Sequence, residues 1–206
     1  PQYRITQLLA QFQSKYPQAT IRLSEDDPIN LMEYLENENC EIVFNREDKQ
    51  TFEKNFLNDT HIKRIPYIKD SLIALMQKNH PLAQEKSIAL PMLKDEQFCL
   101  IKEGSLMHQI AMDACQQAGF IPSVIFTSHR IDSILDIITN QNCVALLMNQ
   151  HIELPENGPT QVNTPWVAVP ITPTIQSQIS ICYRADRPLS KTAQLFIDFC
   201  TANIFE

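Results

Sequence analysis

Glycine is nearly missing from this chain. Its 206 residues hold three: Gly104, Gly119 and Gly158. Neither GxGxxG nor GxxxxGK occurs, which excludes a glycine-rich phosphate loop. No apolar stretch reaches the ~18–20 residues of a membrane-spanning helix. The N-terminal Pro1-Gln2-Tyr3-Arg4 lacks a basic run followed by an apolar core, so no signal peptide is expected. Positive charge is also scarce. Seventeen Lys and Arg stand against 24 Asp and Glu, a net charge of −7, which argues against a broad phosphate-binding surface. No two of the six cysteines lie within four residues of each other, so there is no CxxC or metal-knuckle spacing. His61, His80, His108, His129 and His151 stand far apart, none with a Cys, Asp or Glu at ligand spacing, and no GxSxG elbow occurs. No enzyme activity, metal or cofactor is expected from these residues.

What is present reads as an ordinary soluble globular protein, with 44% hydrophobic and 20% charged residues. Most of the cysteines sit among apolar neighbours, as in Phe98-Cys99-Leu100 and Ile181-Cys182-Tyr183. They read as buried free thiols in a reducing cytoplasm. Nothing near Cys99, Cys115 or Cys143 would lower a thiol pKa. Thirteen prolines supply the punctuation that glycine does not.

Helical spacing links Ile5, Leu8, Leu9, Phe12 and Tyr16. Ala19 to Leu23 alternates as a short strand. Ser24 to Pro28 is a turn capping a helix with Ile29, Met32 and Leu35 on its apolar stripe. Glu41 to Phe44 reads as a short buried strand, which makes a βαβ unit with a parallel sheet. Lys49 to Asp59 reads as a polar loop with a helical turn. Ile62–Ile65 and Asp70–Lys78 are expected as separate strands. Further strands are expected at Phe98–Ile101, Val124–Phe126, Val144–Leu147, Val167–Val169 and Gln178–Tyr183. Helices are expected after Gly104-Ser105 with a Gly119 C-cap, over Ile131–Ile138, and from the N-cap Ser190 to Phe199. His151 to Thr164 is expected as a loop. The alternation gives an α/β fold.

The strand core Leu72–Met76 runs into Asn79-His80-Pro81-Leu82-Ala83. With Leu8-Leu9-Ala10-Gln11-Phe12, Ala118-Gly119-Phe120-Ile121-Pro122, Asp132-Ser133-Ile134-Leu135 and Val144-Ala145-Leu146-Leu147, this run resembles the effector-binding domain of LysR-type transcriptional regulators. The resemblance covers nearly the whole chain. It implies two Rossmann-like lobes joined by two crossover strands, similar to type 2 periplasmic binding proteins. Lobe I would hold residues 1–73 plus 175–206 and lobe II residues 74–174, with crossovers near Ala74 and Thr172–Thr174. The family's winged helix-turn-helix, which binds DNA and precedes this domain, is absent from these 206 residues. So is most of the first strand. The sequence also departs from the family at Glu41, Gln141, Cys143 and Met148, where Asp, two glycines and Pro are usual.

The implied function is sensing of a small-molecule effector between the lobes by a cytoplasmic homodimer. DNA would be bound only through the missing domain, and no membrane would be bound. Candidate effector contacts are strand-end corners that open helices: Asp27 and Pro28; Gly104 and Ser105; Thr127, Ser128, His129 and Arg130. His129 and Arg130 suit an anionic effector, whereas the Asp26-Asp27 corner suits a cationic or hydroxylated one. Asn45 and Arg46 are expected just beyond a strand end, at a weaker corner. The homodimer is expected to join the first helix to the helix over Ile131–Asn140. Two alternatives stay open: a periplasmic solute-binding protein, and a redox-sensing regulator using a cysteine pair.

Overall fold

A computed structural model describes residues 4–152 and 164–203. The chain divides into two compact units, Pro1–Lys69 with Ser177–Glu206, and Asp70–Gln176. It passes from the first to the second inside a 16-residue strand, β2 (Ile62–Gln77).

The first unit contains α1 (Ile5–Lys15), α2 (Pro28–Glu36), β1 (Val43–Asp48) and α3 (Lys49–Asn58). It also holds the first part of β2, most of β7 (Gln176–Arg184), and α6 (Lys191–Asn203). β1 pairs antiparallel with β7, and β7 lies beside β2. One face of this sheet is covered by α1 and α6. There Phe12 is fully buried and its ring stands edge-on to Phe196 at 5.1 Å and Phe199 at 5.5 Å. The other face gathers Leu35, Val43, Ile62 and Cys182. Glu41 fastens α6 to the sheet, accepting the Ser190 amide at 2.7 Å and its hydroxyl at 2.9 Å.

Five expectations change here. Ala19–Leu23 forms no strand: Leu23 is half exposed, and the period-2 pattern finds no ladder to join. The parallel βαβ unit is therefore replaced by the antiparallel β1–β7 pair. β1 begins at Val43 and continues through Asn45 and Arg46, so these residues lie inside a strand rather than beyond it. Lys49–Asn58 is a full helix, nucleated by Asp48, whose carboxylate accepts the amides of Gln50 and Thr51 at 3.0 Å each. The two strands expected over 62–78 are one. β2 tolerates Pro66 because, in the first unit, the described residues give it a neighbour on one side only.

In the second unit, β3 (Gln97–Ile101) pairs in parallel with β4 (Ser123–Ser128) and β5 (Val144–Met148). β2 pairs antiparallel with β5 on one side and β6 (Trp166–Pro170) on the other. α4 (Leu106–Gln117) and α5 (Ile131–Asn140) cover opposite faces. The continuous apolar run of β2 follows from this. Leu72, Ala74 and Met76 point to the α4 face, and Ile73 and Leu75 to the α5 face. Fully burying such side chains contributes roughly 1.5–3 kcal/mol each. Gly119, at φ +90°, ends α4, and the Phe120 amide returns to the Cys115 carbonyl at 3.1 Å. Most of the loop expected over His151–Thr164, including Gly158, lies outside the described residues.

Candidate functional site

Two of the sequence-predicted corners meet in the second unit. β3 and β4 are adjacent and parallel, with Ile101 opposite Ser128, so their carboxyl ends share one edge. The Lys102 amide donates to the Ser128 carbonyl at 3.1 Å, which ties the corners together.

At the first corner the chain turns through Gly104, whose φ of +87° a side chain would strain, and a Cβ there would meet nothing within 4 Å. Ser105 caps α4. Its hydroxyl accepts the His108 amide at 3.1 Å and donates to the Lys102 carbonyl at 2.8 Å. The His108 ring adds a bond from Nδ1 to the Ile101 carbonyl oxygen, 2.9 Å, and steadies the strand end. Ser105 is therefore committed to the helix start. What the corner offers a ligand is backbone N–H from the first turn, which has no partner within the helix.

At the second corner, the Ser128 hydroxyl accepts the Arg130 amide at 3.0 Å. Thr127, His129 and Arg130 are exposed, and no side chain caps α5. The Arg130 guanidinium reaches Asp132 at 3.7 Å, a solvated contact that leaves it adaptable. Two helix starts, each carrying about half a positive charge, thus share an edge with Lys102, His129 and Arg130. That arrangement suits an anionic or strongly hydrogen-bonding small molecule.

Sequence reasoning missed the third feature of this edge. β5 runs parallel to β3 and ends there too, and β2 enters the unit opposite, with Leu72 facing Met148. Asp70 is buried at this point, and its Oδ1 accepts the amides of Ser71 at 2.9 Å and Gln150 at 3.1 Å. The only sequence signal was an acidic residue at the mouth of an apolar strand.

Asp27 and Pro28 lie in the first unit, at the start of α2. Asp27 occupies the N-cap but caps no amide with its side chain, and Pro28 fills the first helical turn. Its neighbour Asp26 is engaged locally. Asn30 Nδ2 donates to it at 2.8 Å, the Tyr34 hydroxyl at 2.7 Å, and the Asp27 amide at 2.8 Å. These bonds, Asn30 first, hold the Asp26 carboxyl below its usual pKa. Asn45 and Arg46 are buried in β1, where Arg46 Nη1 donates to the Ser177 hydroxyl. Asn45 Oδ1 and Ser180 Oγ belong to directly opposed residues, and both atoms are buried with no hydrogen-bond partner.

All six cysteines are free thiols, five of them buried and Cys40 half-buried. Among the described residues, no three His, Cys, Asp or Glu side chains are placed to hold a metal ion. No described helix is long and apolar enough to cross a membrane.

Known proteins share this architecture. The family model for the LysR substrate binding domain matches residues 1–204. The transcriptional dual regulator GltC of Bacillus subtilis is 31% identical over 132 residues, 63% of this chain and 42% of that protein. The HTH-type transcriptional regulator YwbI of the same organism is 26% identical over 206 residues, 97% of this chain and 62% of that protein. The chain thus spans about half the length of these curated relatives. Among solved structures, the CcmR regulatory domain of Synechocystis PCC6803 in complex with 2-PG superposes with a TM-score of 0.80 at 18% identity. That match covers 98% of this chain and 91% of the other.

Proposed function

The chain belongs to the LysR substrate-binding domain family, and from that premise we propose that it is the effector sensor of a transcriptional regulator. Its edge at Gly104-Ser105 and Thr127–Arg130 would hold a small anionic or hydroxylated molecule. Asp27 and Pro28, at the start of α2 in the first unit, are also proposed as effector contacts. The observation that supports this reading is the bond from the Lys102 amide to the Ser128 carbonyl, which joins the two strand ends from which the helices open. The chain works by binding rather than by catalysis. An effector acts only through unequal affinity for two arrangements of the protein. DNA is contacted by residues outside these 206, and the protein works in the cytoplasm as a homodimer.

The dimer surface needs revision against the expected helix pair. α5 exposes Asp132, Asp136 and Asn140 and buries Ile134 and Ile138, so its open side is charged or polar. β4 is the last strand of the sheet, and beside it Ile121, Val124 and Ile125 are 80%, 36% and 41% exposed. The exposed residues of α1 are Thr6, Gln7, Ala10, Gln11, Gln13, Ser14 and Lys15, and only Lys15, in the last turn, is charged. We infer that α1 of one copy meets the β4 edge of the second.

The effector reading is tested with a panel of small carboxylates and phosphate monoesters, followed by calorimetry and thermal melting. A binder should lose roughly 10-fold or more in affinity on Ser128→Ala, since a bond to a charged group contributes about 1.5–3 kcal/mol. The melting point of the unliganded protein should stay nearly unchanged. Equal affinity for the wild type, Ser128→Ala and Arg130→Ala would sink the assignment.

A further inference from the structure

Two thiols meet inside the second unit. Cys99 lies in β3, and Cys143 in the turn that leads into β5. Cys99 pairs across the parallel ladder with Ala145, two residues past Cys143, and both side chains join the cluster on the α5 face. Their sulfur atoms are 3.2 Å apart, and the residues are 0% and 1% exposed. Cys115 belongs to the α4 face, and Cys182 and Cys200 lie in the other unit. Among the described residues no other pair of thiols is in contact.

We propose that Cys99 and Cys143 form a modification site, a dithiol that closes to a disulfide when the protein meets a two-electron oxidant of the peroxide class. A disulfide requires about 2.05 Å between sulfurs. The two strands are already hydrogen-bonded, so closure asks for little more than an ångström of movement.

The chemistry balances in two steps. The Cys143 thiolate attacks one peroxide oxygen, the O–O bond breaks, and a sulfenic acid forms as hydroxide leaves and takes up a proton. Cys99 sulfur then attacks the sulfenic sulfur, the S–O bond breaks, and its oxygen departs as a second water with the Cys99 proton. Two thiols lose two electrons and two protons, and one peroxide becomes two waters.

The order follows from the contact. Burial, with a smaller contribution from the contact with Cys143, pushes the Cys99 thiol up to about 12. Burial also raises Cys143, but its contact with Cys99 offsets part of that rise. Thiolate is scarce at neutral pH, so closure is slow there and quickens with rising pH. The linked residues are 44 apart in sequence and bracket α4, β4 and α5, hence both corners of the site. The inference does not depend on which effector the domain binds.

The test uses the reduced 206-residue protein and hydrogen peroxide, quenched with catalase, with circular dichroism showing the fold retained. Thiols titrated in denaturant should fall from six to four. Digestion should give one peptide pair linking Cys99 to Cys143 within a single chain. Cys115→Ala should fall from five to three with the same link, and Cys143→Ala should yield no link to Cys99. Six thiols surviving in the wild type, or loss through a different pair or between chains, would overturn the proposal.

Discussion

Single residues in the first unit show how polar groups hold a strand that hydrophobic pattern alone describes poorly. Glu47 and Arg64 are both buried, their side chains 3.4 Å apart, and Asn55 donates to Glu47 at 2.7 Å. Asp59 completes the group, accepting Arg64 Nη1 at 2.9 Å and the amides of His61 at 3.1 Å and Ile62 at 3.2 Å. Partial burial works to raise the Asp59 carboxyl, but the Arg64 bond and the two amides outweigh it and set the pKa below the ordinary 3.8. A carboxylate with a depressed folded pKa stabilises the protein above its unfolded pKa, and that contribution is lost as pH falls through the folded one. Asp59→Asn should therefore cost roughly 1 kcal/mol at pH 7 and much less near pH 2. Urea unfolding of both proteins across that range checks it; parallel pH profiles would contradict it. None of this group was legible in the sequence, because its members, though all between Glu47 and Arg64, sit on β1, α3 and β2, and period-2 patterns count apolar residues only. His80 was conspicuous in the sequence, and the structure gives it a local task. Its Nδ1 accepts the Leu82 amide at 3.2 Å, and its Nε2 lies 3.3 Å from Glu96, locking the turn after β2.

At the scale of elements, legibility followed burial on two sides. α4, α5, β3 and β5 stood out because each presents a full apolar stripe or run to a core. α3 did not, because it buries no residue completely and leaves Phe56 and Leu57 at 51% and 78% exposed. Its start is set by the Asp48 cap rather than by an apolar face. The site corners were legible as strand-to-helix junctions, since Gly104-Ser105 and Ser128 carry turn and cap chemistry. Asp70 was not, because its partner amide belongs to Gln150, 80 residues on. Element exposure also carries the dimer prediction. An open strand edge with exposed Val124 and Ile125 invites pairing, and α1 offers a cover whose only exposed charge is Lys15. A closed two-fold pair repeats the contact twice, and a stable one buries about 800 Å² per partner. Sedimentation at micromolar concentration should give twice the monomer mass, and Ile125→Asp should return it to the monomer. A wild type that sediments as a monomer would defeat the assignment.

At the scale of the whole molecule, two α/β units are drawn from one chain that crosses twice, at Lys69–Asp70 and Gln176–Ser177. The sequence resemblance placed lobe crossings near Ala74 and Thr172–Thr174. The crossings at Lys69–Asp70 and Gln176–Ser177 fall inside β2 and at the start of β7, where no break in hydrophobic pattern marks a boundary. The central claim is that the joined corners after β3 and β4 receive the effector. The most direct measurement is amide chemical-shift mapping during titration with whichever carboxylate or phosphate monoester the panel finds to bind. The account predicts that the largest shifts fall on Lys102–Met107 and Ser128–Asp132, and that Ser128→Ala needs roughly 10-fold more ligand to reach them. Saturable shifts that leave both corners unmoved, with the same midpoint in Ser128→Ala, would contradict it.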